Sequence, residues 1–257
     1  MTQYNYNIVA SSNEHTVVAE YECKYTSSKS YQSESKLEEE FISLLTSQGY
    51  EYLNINSEED LIENLRKQLE KVNSYTFTDA EWERFFKECI SNPNEGIVEK
   101  TRKIQQDHIQ ILKRDDGTTK NIYLIHKDNI HDNSLQVINQ YEQTEGRRKT
   151  RYDVTILVNG LPLVHIELKR RGVAIREAFN QIRRYQRDSF WAGTGLYEYV
   201  QIFVVSNGTH TKYYSNTTRE THIREMTGDR SSRKTSNSFE FTSYWADAKN
   251  NIIPDLM

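Results

Sequence analysis

Two alternating segments in the middle of the chain, joined by four residues, constrain the fold more than anything else in it. The first is Tyr152–Val158 (YDVTILV), the second Leu163–Lys169 (LVHIELK), and Asn159-Gly160-Leu161-Pro162 connects them. Runs of this length, rich in β-branched and apolar residues, predict strands. An Asn-Gly step between two such runs predicts a hairpin. Side chains alternate along a strand, so Val164, Ile166 and Leu168 share one face. His165, Glu167 and Lys169 share the other.

Register decides what chemistry this hairpin carries. Regular pairing across a two-residue Asn-Gly turn leaves Asp153 one residue out of step with Glu167, with the two carboxylates on opposite faces. Pro162 has no backbone donor, which favours a longer loop or a bulge. The expectation is a connection that returns Asp153 and Glu167 to a shared face.

Two carboxylates and an ammonium on one face have a clear use. Carboxylate oxygens are hard ligands for Mg²⁺, which keeps several waters and accepts phosphate oxygens. A neighbouring Lys is a compact cation that holds a hydroxide-like nucleophile or offsets developing charge. The Leu168 carbonyl, between the two side chains, offers a further ligand. Glu-x-Lys occurs three times, at Glu22, Glu34 and Glu167, and only the third lies in an alternating strand. The plainer alternative is a surface Glu–Lys pair on an edge strand, with Asp153 beside it.

Charge is concentrated around the same hairpin. Eleven Lys/Arg and three acids lie between Arg147 and Arg187, in a chain of net charge -4. A local basic patch on an acidic protein steers a polyanion to one place. Within it, Arg170, Arg171, Arg183 and Arg184 are candidate phosphate contacts, which set affinity without reading sequence. The segment Glu34–Lys100 carries sixteen acids and seven bases and reads as an acidic helical shell.

Around the hairpin, apolar spacing predicts helices over Ser35–Ser47, Glu58–Val72, Asp79–Ser91 and Ala174–Arg187. Ser35 with Glu38 has capping-box spacing. Ile109–Leu112 and Ile122–Ile125 flank Asp115-Asp116-Gly117 as a second hairpin, and Leu135–Tyr141 reads as a strand. Tyr199–Val205 reads as a buried strand, with Lys212–Tyr214 as its partner. Residues 1–30 read as polar loop or edge strand, and 217–238 as a mobile loop. The fold class is α/β: a mixed β-sheet flanked by helices, with an added helical acidic segment, in a single domain over 1–257 whose core spans about 30–215.

Several classes are excluded. No apolar run approaches the ~18 residues of a membrane span, and the N-terminus has no signal-peptide pattern. Two cysteines, Cys23 and Cys89, make neither a disulfide framework nor a Cys-rich zinc site, pointing to a reducing, cytoplasmic setting. The seven histidines show no zinc-binding spacing.

Asp153-x13-Glu167-x-Lys169 resembles the PD-(D/E)xK nuclease motif, and Gln181-x-x-x-Tyr185 on the following helix is similar to the signature of its RecB-like branch. The wider text, RYDVTILVNGLPLVHIELKRRGVAIREAFNQIRRYQRDSF with YQSESKLEEEFISLLTSQGYE, GIVEKTRKIQ and FVVSNGT, resembles the N-terminal nuclease domain of the restriction (R) subunit of type I restriction-modification enzymes. That likeness covers about residues 20–215.

The resemblance implies a restriction-endonuclease-like core and a type I site-specific deoxyribonuclease. Family members cut double-stranded DNA with Mg²⁺, for which Mn²⁺ substitutes, after ATP-driven translocation. Asp153 and Glu167 would be the metal ligands, Lys169 the catalytic lysine, and Gln181 and Tyr185 the supporting motif. A Glu on the first core helix would point at the metal: Glu38 is the candidate, with Glu34 and Glu39 as alternatives and ordinary helix capping as the bland role for Glu38. His165 would touch phosphate or a metal-bound water, or be a buried structural ring. Tyr152 stands where the motif's name has Pro. The chain has no Gly-Lys dipeptide and hence no P-loop, so ATP binding and the motor are expected only in the full-length subunit. Methyltransferase and specificity subunits are the implied partners, with no membrane. The rival readings are a non-catalytic DNA-binding or subunit-docking module, and a repair or recombination nuclease of the same superfamily.

Overall fold

A computed structural model describes residues 32–216, 239–247 and 249–254, together with the backbone of 8–11 and 16–18. The expected loop over 217–238 and most of residues 1–30 lie outside the described residues. Within the latter, β1 (Ile8–Ser11) and β2 (Thr16–Val18) form a small antiparallel pair.

The centre is a seven-stranded mixed sheet. Its strands are β3 (Glu51–Tyr52), β6 (Leu135–Gln143), β7 (Thr150–Val158), β8 (Leu161–Leu168), β9 (Ile202–Ser206), β10 (Thr211–Ser215) and β11 (Ser243–Tyr244). They are ordered β11-β10-β9-β8-β7-β6-β3. The β8–β9 and β3–β6 pairs are parallel and the others antiparallel. The second predicted hairpin, β4 (Ile109–Lys113) with β5 (Thr119–Tyr123), stands apart as its own ribbon. Strand β8 lies between β7 and β9, so Glu167 is not on an edge strand.

Helices cover both faces. On one, α1 (Glu34–Ser47) buries Leu37, Phe41 and Leu45, spaced one helical turn apart, against Val137, Val154, Ile166, Leu168 and Val204. On the other, α2 (Glu58–Asn73) contributes Leu61, Leu65 and Leu69, and α5 (Ile175–Asp188) contributes Ala178, Phe179, Ile182 and Tyr185. Trp82 and Phe85 of α3 (Asp79–Phe85) join the same core. Helix α4 (Ile97–Gln105) had no counterpart among the predicted elements. Its apolar residues are outnumbered by charged ones, and it buries Lys100 and Thr101 beside Ile104. Lys100 is tolerated there because Nζ donates to Glu198 Oε2 at 2.9 Å and to Gly195 O at 2.8 Å.

The β7–β8 connection combines both possibilities left open by the sequence. Asn159 (φ +52°) and Gly160 (φ +82°) form a two-residue turn, the left-handed geometry that Asn-Gly favours. Val158 opposes Leu161 and Leu157 opposes Pro162, but Ile156 opposes Val164. Leu163 is therefore an extra residue, a β-bulge. Beyond it the register has moved by one, and Val154 opposes Ile166. The next step places Asp153 level with Glu167. Gly160 admits no side chain, because a Cβ there would lie 2.6 Å from Leu65 Cα on α2.

Candidate functional site

The site lies where β7 and β8 run out of backbone pairing. Past the Val154–Ile166 pair, Asp153 Oδ2 accepts from the Leu168 backbone N–H at 2.9 Å, replacing a ladder bond with a side-chain one. Glu167 is fully buried, and its Oε1 lies 3.2 Å from Lys169 Nζ. Lys169 also donates to the Leu168 carbonyl at 3.1 Å, and Glu34 Oε2 stands 4.0 Å from the ammonium. The three residues thus meet within one small volume at the sheet end.

The electrostatics of the pair are unfavourable as they stand. Burial pushes Asp153 up to about 7, with the Glu167 charge adding to the rise. Burial likewise pushes Glu167 up to about 7, against the pull of Lys169. Glu167 Oε2 has no hydrogen-bond partner among the described residues. With both groups ionised, neither can donate to the other; with one proton between them, one can. A divalent cation would replace that proton and supply the missing partner. No group of three or more His, Cys, Asp or Glu side chains among the described residues is arranged to hold a metal. Two carboxylates and a carbonyl suit a Mg²⁺ ion that keeps waters and takes phosphate oxygens.

Helix α1 supplies the acidic rim. Its N-cap is Ser33, whose hydroxyl accepts from Lys36 N, and not Ser35 as the capping-box spacing predicted. The two-residue displacement frees Glu38 from any capping role. Glu38 lies one position beyond Leu37 of the buried stripe, is itself 7% exposed, and accepts from both Asn139 Nδ2 and Gln140 Nε2. Burial raises its pKa above the ordinary carboxylate value, and the Asp153 charge contributes to the rise. Of the three acids weighed on this helix, Glu38 faces Asp153, Glu34 faces Lys169 and the backbone N of Arg170, and Glu39 is exposed. Asn139 and Gln140 were not read from the sequence. The signal was weak: β6 reads LQVINQYEQ, and Gln136, Glu142 and Gln143 break its apolar pattern as well, so the Asn139-Gln140 step does not stand out.

Helix α5 closes the far side. Gln181 Nε2 donates to Tyr185 Oη at 2.5 Å, and Tyr185 Oη donates to the Arg151 carbonyl at 2.9 Å. The pair therefore holds the start of β7, two residues before Asp153, and does not reach the carboxylates by a direct bond. Tyr185 also packs on Tyr152 and on His165. His165 is wholly buried among Tyr152, Tyr185 and Phe190. Burial pushes its imidazole down to about 4, so the ring is neutral at pH 7. Its Nε2 is 3.6 Å from Glu167 Oε2, beyond hydrogen-bond range, which makes it a wall of the site and not a phosphate contact.

Of the four arginines, Arg170 and Arg171 follow the end of β8 and Arg183 and Arg184 lie on α5. Arg170 and Arg184 are exposed, while Arg171 and Arg183 are half-buried. Burial lowers the Arg183 pKa, and the like charges of Arg187 and Arg184 lower it further. Such crowding of positive charge is relieved by an anion. No helix among the described residues is long and apolar enough to cross a membrane.

Residues 31–222 match the family described as "Type I restriction enzyme R protein N terminus". The chain is 47% identical over 249 residues to the Escherichia coli "Type I restriction enzyme EcoprrI endonuclease subunit", covering 96% of this chain and 75% of that one. It is 41% identical over 233 residues to the Staphylococcus saprophyticus "Type I restriction enzyme SsaAORF53P endonuclease subunit", covering 88% of this chain and 22% of that subunit. A protein of Methanocaldococcus jannaschii named "Putative type I restriction enzyme MjaIXP endonuclease subunit" is 32% identical over 114 residues, 42% of this chain and 11% of that protein. The matched family span contains Glu38, Asp153, Glu167, Lys169, Gln181 and Tyr185 together. The chain belongs to the family formed by the N-terminal region of type I restriction enzyme R proteins.

Proposed function

We propose that this chain is the DNA-cutting region of a type I restriction enzyme, a PD-(D/E)xK-type domain that hydrolyses phosphodiester bonds of double-stranded DNA with Mg²⁺, or Mn²⁺ in its place. The observation that carries this reading is the buried Asp153–Glu167 pair beside Lys169, two acids in contact with no hydrogen-bond donor for Glu167 Oε2 among the described residues. A carboxylate pair so raised in pKa is costly to keep ionised without a cation.

Asp153, Glu167 and the Leu168 carbonyl would hold the ion, and Glu38 would reach it directly or through water. Bound there, a divalent ion would polarise the phosphoryl group and lower the pKa of a water. Lys169, fixed between Glu167 Oε1 and the Leu168 carbonyl, is placed to hold a nucleophilic water by its ammonium and would offset charge developing on phosphate oxygens. Tyr185 and Gln181 keep the Asp153 strand in place through the Arg151 carbonyl. His165 and its aromatic neighbours keep water away from the inner side of Glu167. Arg170, Arg171, Arg183 and Arg184 grip backbone phosphates. DNA sequence would be read by a specificity subunit and protected by a methyltransferase subunit, with ATP used by a motor region of the longer subunit.

The test is made in a complete R subunit assembled with those partners. Glu167→Ala and Lys169→Ala should each lower DNA cleavage by about a thousandfold or more, in line with the loss of a transition-state charge contact, while ATP hydrolysis and translocation continue. Cleavage at the parent rate in either variant would make the domain a DNA-binding or docking module.

A further inference from the structure

The interior of β6 contains a backbone feature that neither a turn nor a glycine explains. Gln140 has φ +54° within a nine-residue strand. A non-glycine residue rarely adopts this left-handed region, and in a strand it breaks the alternation of faces. Pairing is continuous on both sides: Asn139 opposes Val154 and Tyr141 opposes Tyr152. The step between them is Gln140 facing Asp153. Both strands change face at that step. Val137 and Val154 belong to the cluster under α1, whereas Tyr141 and Tyr152, which strict alternation would put on the same side, belong to the cluster opposite. The Gln140 side chain then donates to Glu38 Oε2 at 2.5 Å, beside the Asn139 amide on Oε1.

We infer that Gln140 is a positioning residue for a divalent-ion site: its left-handed backbone turns Asp153 out of the regular ladder, and its carboxamide aims Glu38 at the same point. The inference rests on the metal-dependent reading of Asp153 and Glu167. Strained backbone of this kind persists where the surroundings over-determine it, and it clusters at ligand clamps. Here the surroundings are Glu38 on one side and the tyrosine pair Tyr141–Tyr152, 5.9 Å apart, on the other. The two parts of the role are separable. Gln140→Gly adopts the left-handed backbone without strain and removes only the amide.

The experiment is Mn²⁺ binding to the 257-residue chain, followed by electron paramagnetic resonance of the free ion, with metal-free thermal unfolding in parallel. Gln140→Gly should unfold at or above the parent temperature and bind Mn²⁺ about tenfold more weakly, the low end of what losing a partner of a metal ligand does. In a Glu38→Gln background the same glycine should change affinity less than twofold, because the amide acts through Glu38. If Gln140→Gly binds as tightly as the parent while Asp153→Ala binds no ion, the positioning role is wrong and the ion site stands. A full tenfold further loss in the Glu38→Gln background overturns the route through Glu38. If Asp153→Ala binds Mn²⁺ like the parent, the ion site itself falls, and the role of Gln140 with it.

Discussion

Glu81 and Glu167 are both buried carboxylates, built in opposite ways. Glu81 is 3% exposed and accepts from Tyr75 Oη at 2.7 Å, Thr78 N at 3.1 Å and Asp115 N at 3.1 Å. Burial alone pushes its pKa up, yet these donors outweigh burial and leave it below the ordinary carboxylate value. Glu167 is more deeply buried, has Lys169 on one oxygen, no hydrogen-bond donor among the described residues on the other, and the acidic side chain of Asp153 against it. There burial wins. Glu81 ties the start of α3 to the turn of the β4–β5 ribbon, and its needs are met within the chain. Glu167 is left short of positive charge, which is what a site for a cation requires.

Three measurements would break or sharpen that contrast. The largest effect is expected at the satisfied group. Glu81→Ala takes the shared acceptor from three part-buried hydrogen bonds and should destabilise the chain by about 3 kcal/mol in denaturant unfolding. A loss below about 1 kcal/mol would mean the Glu81 network carries little.

Next is the response to divalent ions. An ion that binds only the folded chain, at a hundredfold excess over its dissociation constant, adds about 2.7 kcal/mol of stability. Thermal scans with Mg²⁺ or Mn²⁺ should show this rise in the parent and lose it in Glu167→Gln. An equal rise in both would place the ion elsewhere.

The smallest effect is on pH dependence without metal. Asp153 and Glu167 are raised to about 7 in the folded chain, so it holds protons that the unfolded chain releases from its ordinary carboxylate range upward. Their contribution is therefore fully present below that ordinary range and lost as pH rises through about 7. Glu81 runs the other way: its contribution is present above its ordinary value and lost as pH falls through the lowered one. Between pH 5 and 8 the metal-free parent should lose about 2 kcal/mol, and Glu167→Gln, which mimics the protonated form, should lose less. A parent that gains stability over that interval would contradict the raised pair.

Much of this was legible in the residues. The alternation in Leu163–Lys169, the Asn159-Gly160 turn and the apolar stripe of α5 are local patterns, and each became the element it predicted. Two sites resisted reading for physical reasons. The cap of α1 slipped from Ser35 to Ser33 because both serines satisfy the local rule, and the packing of Leu37, Phe41 and Leu45 on the sheet chooses between them. Helix α4 was missed because Lys100 and Lys103 are buried through partners far along the chain or around a bend, so its buried side does not look apolar.

Composition and order of residues established which chemical groups were present, and that two strands would carry two acids and a lysine a few positions apart. They did not establish that the acids would meet. That followed from the bulge at Leu163, the left-handed step at Gln140 and the seat of α1 over the sheet. Each is a choice between local conformations of similar energy. Contacts with distant segments made that choice, because burial and hydrogen bonding across the whole sheet outweigh the small preferences of any short run of chain.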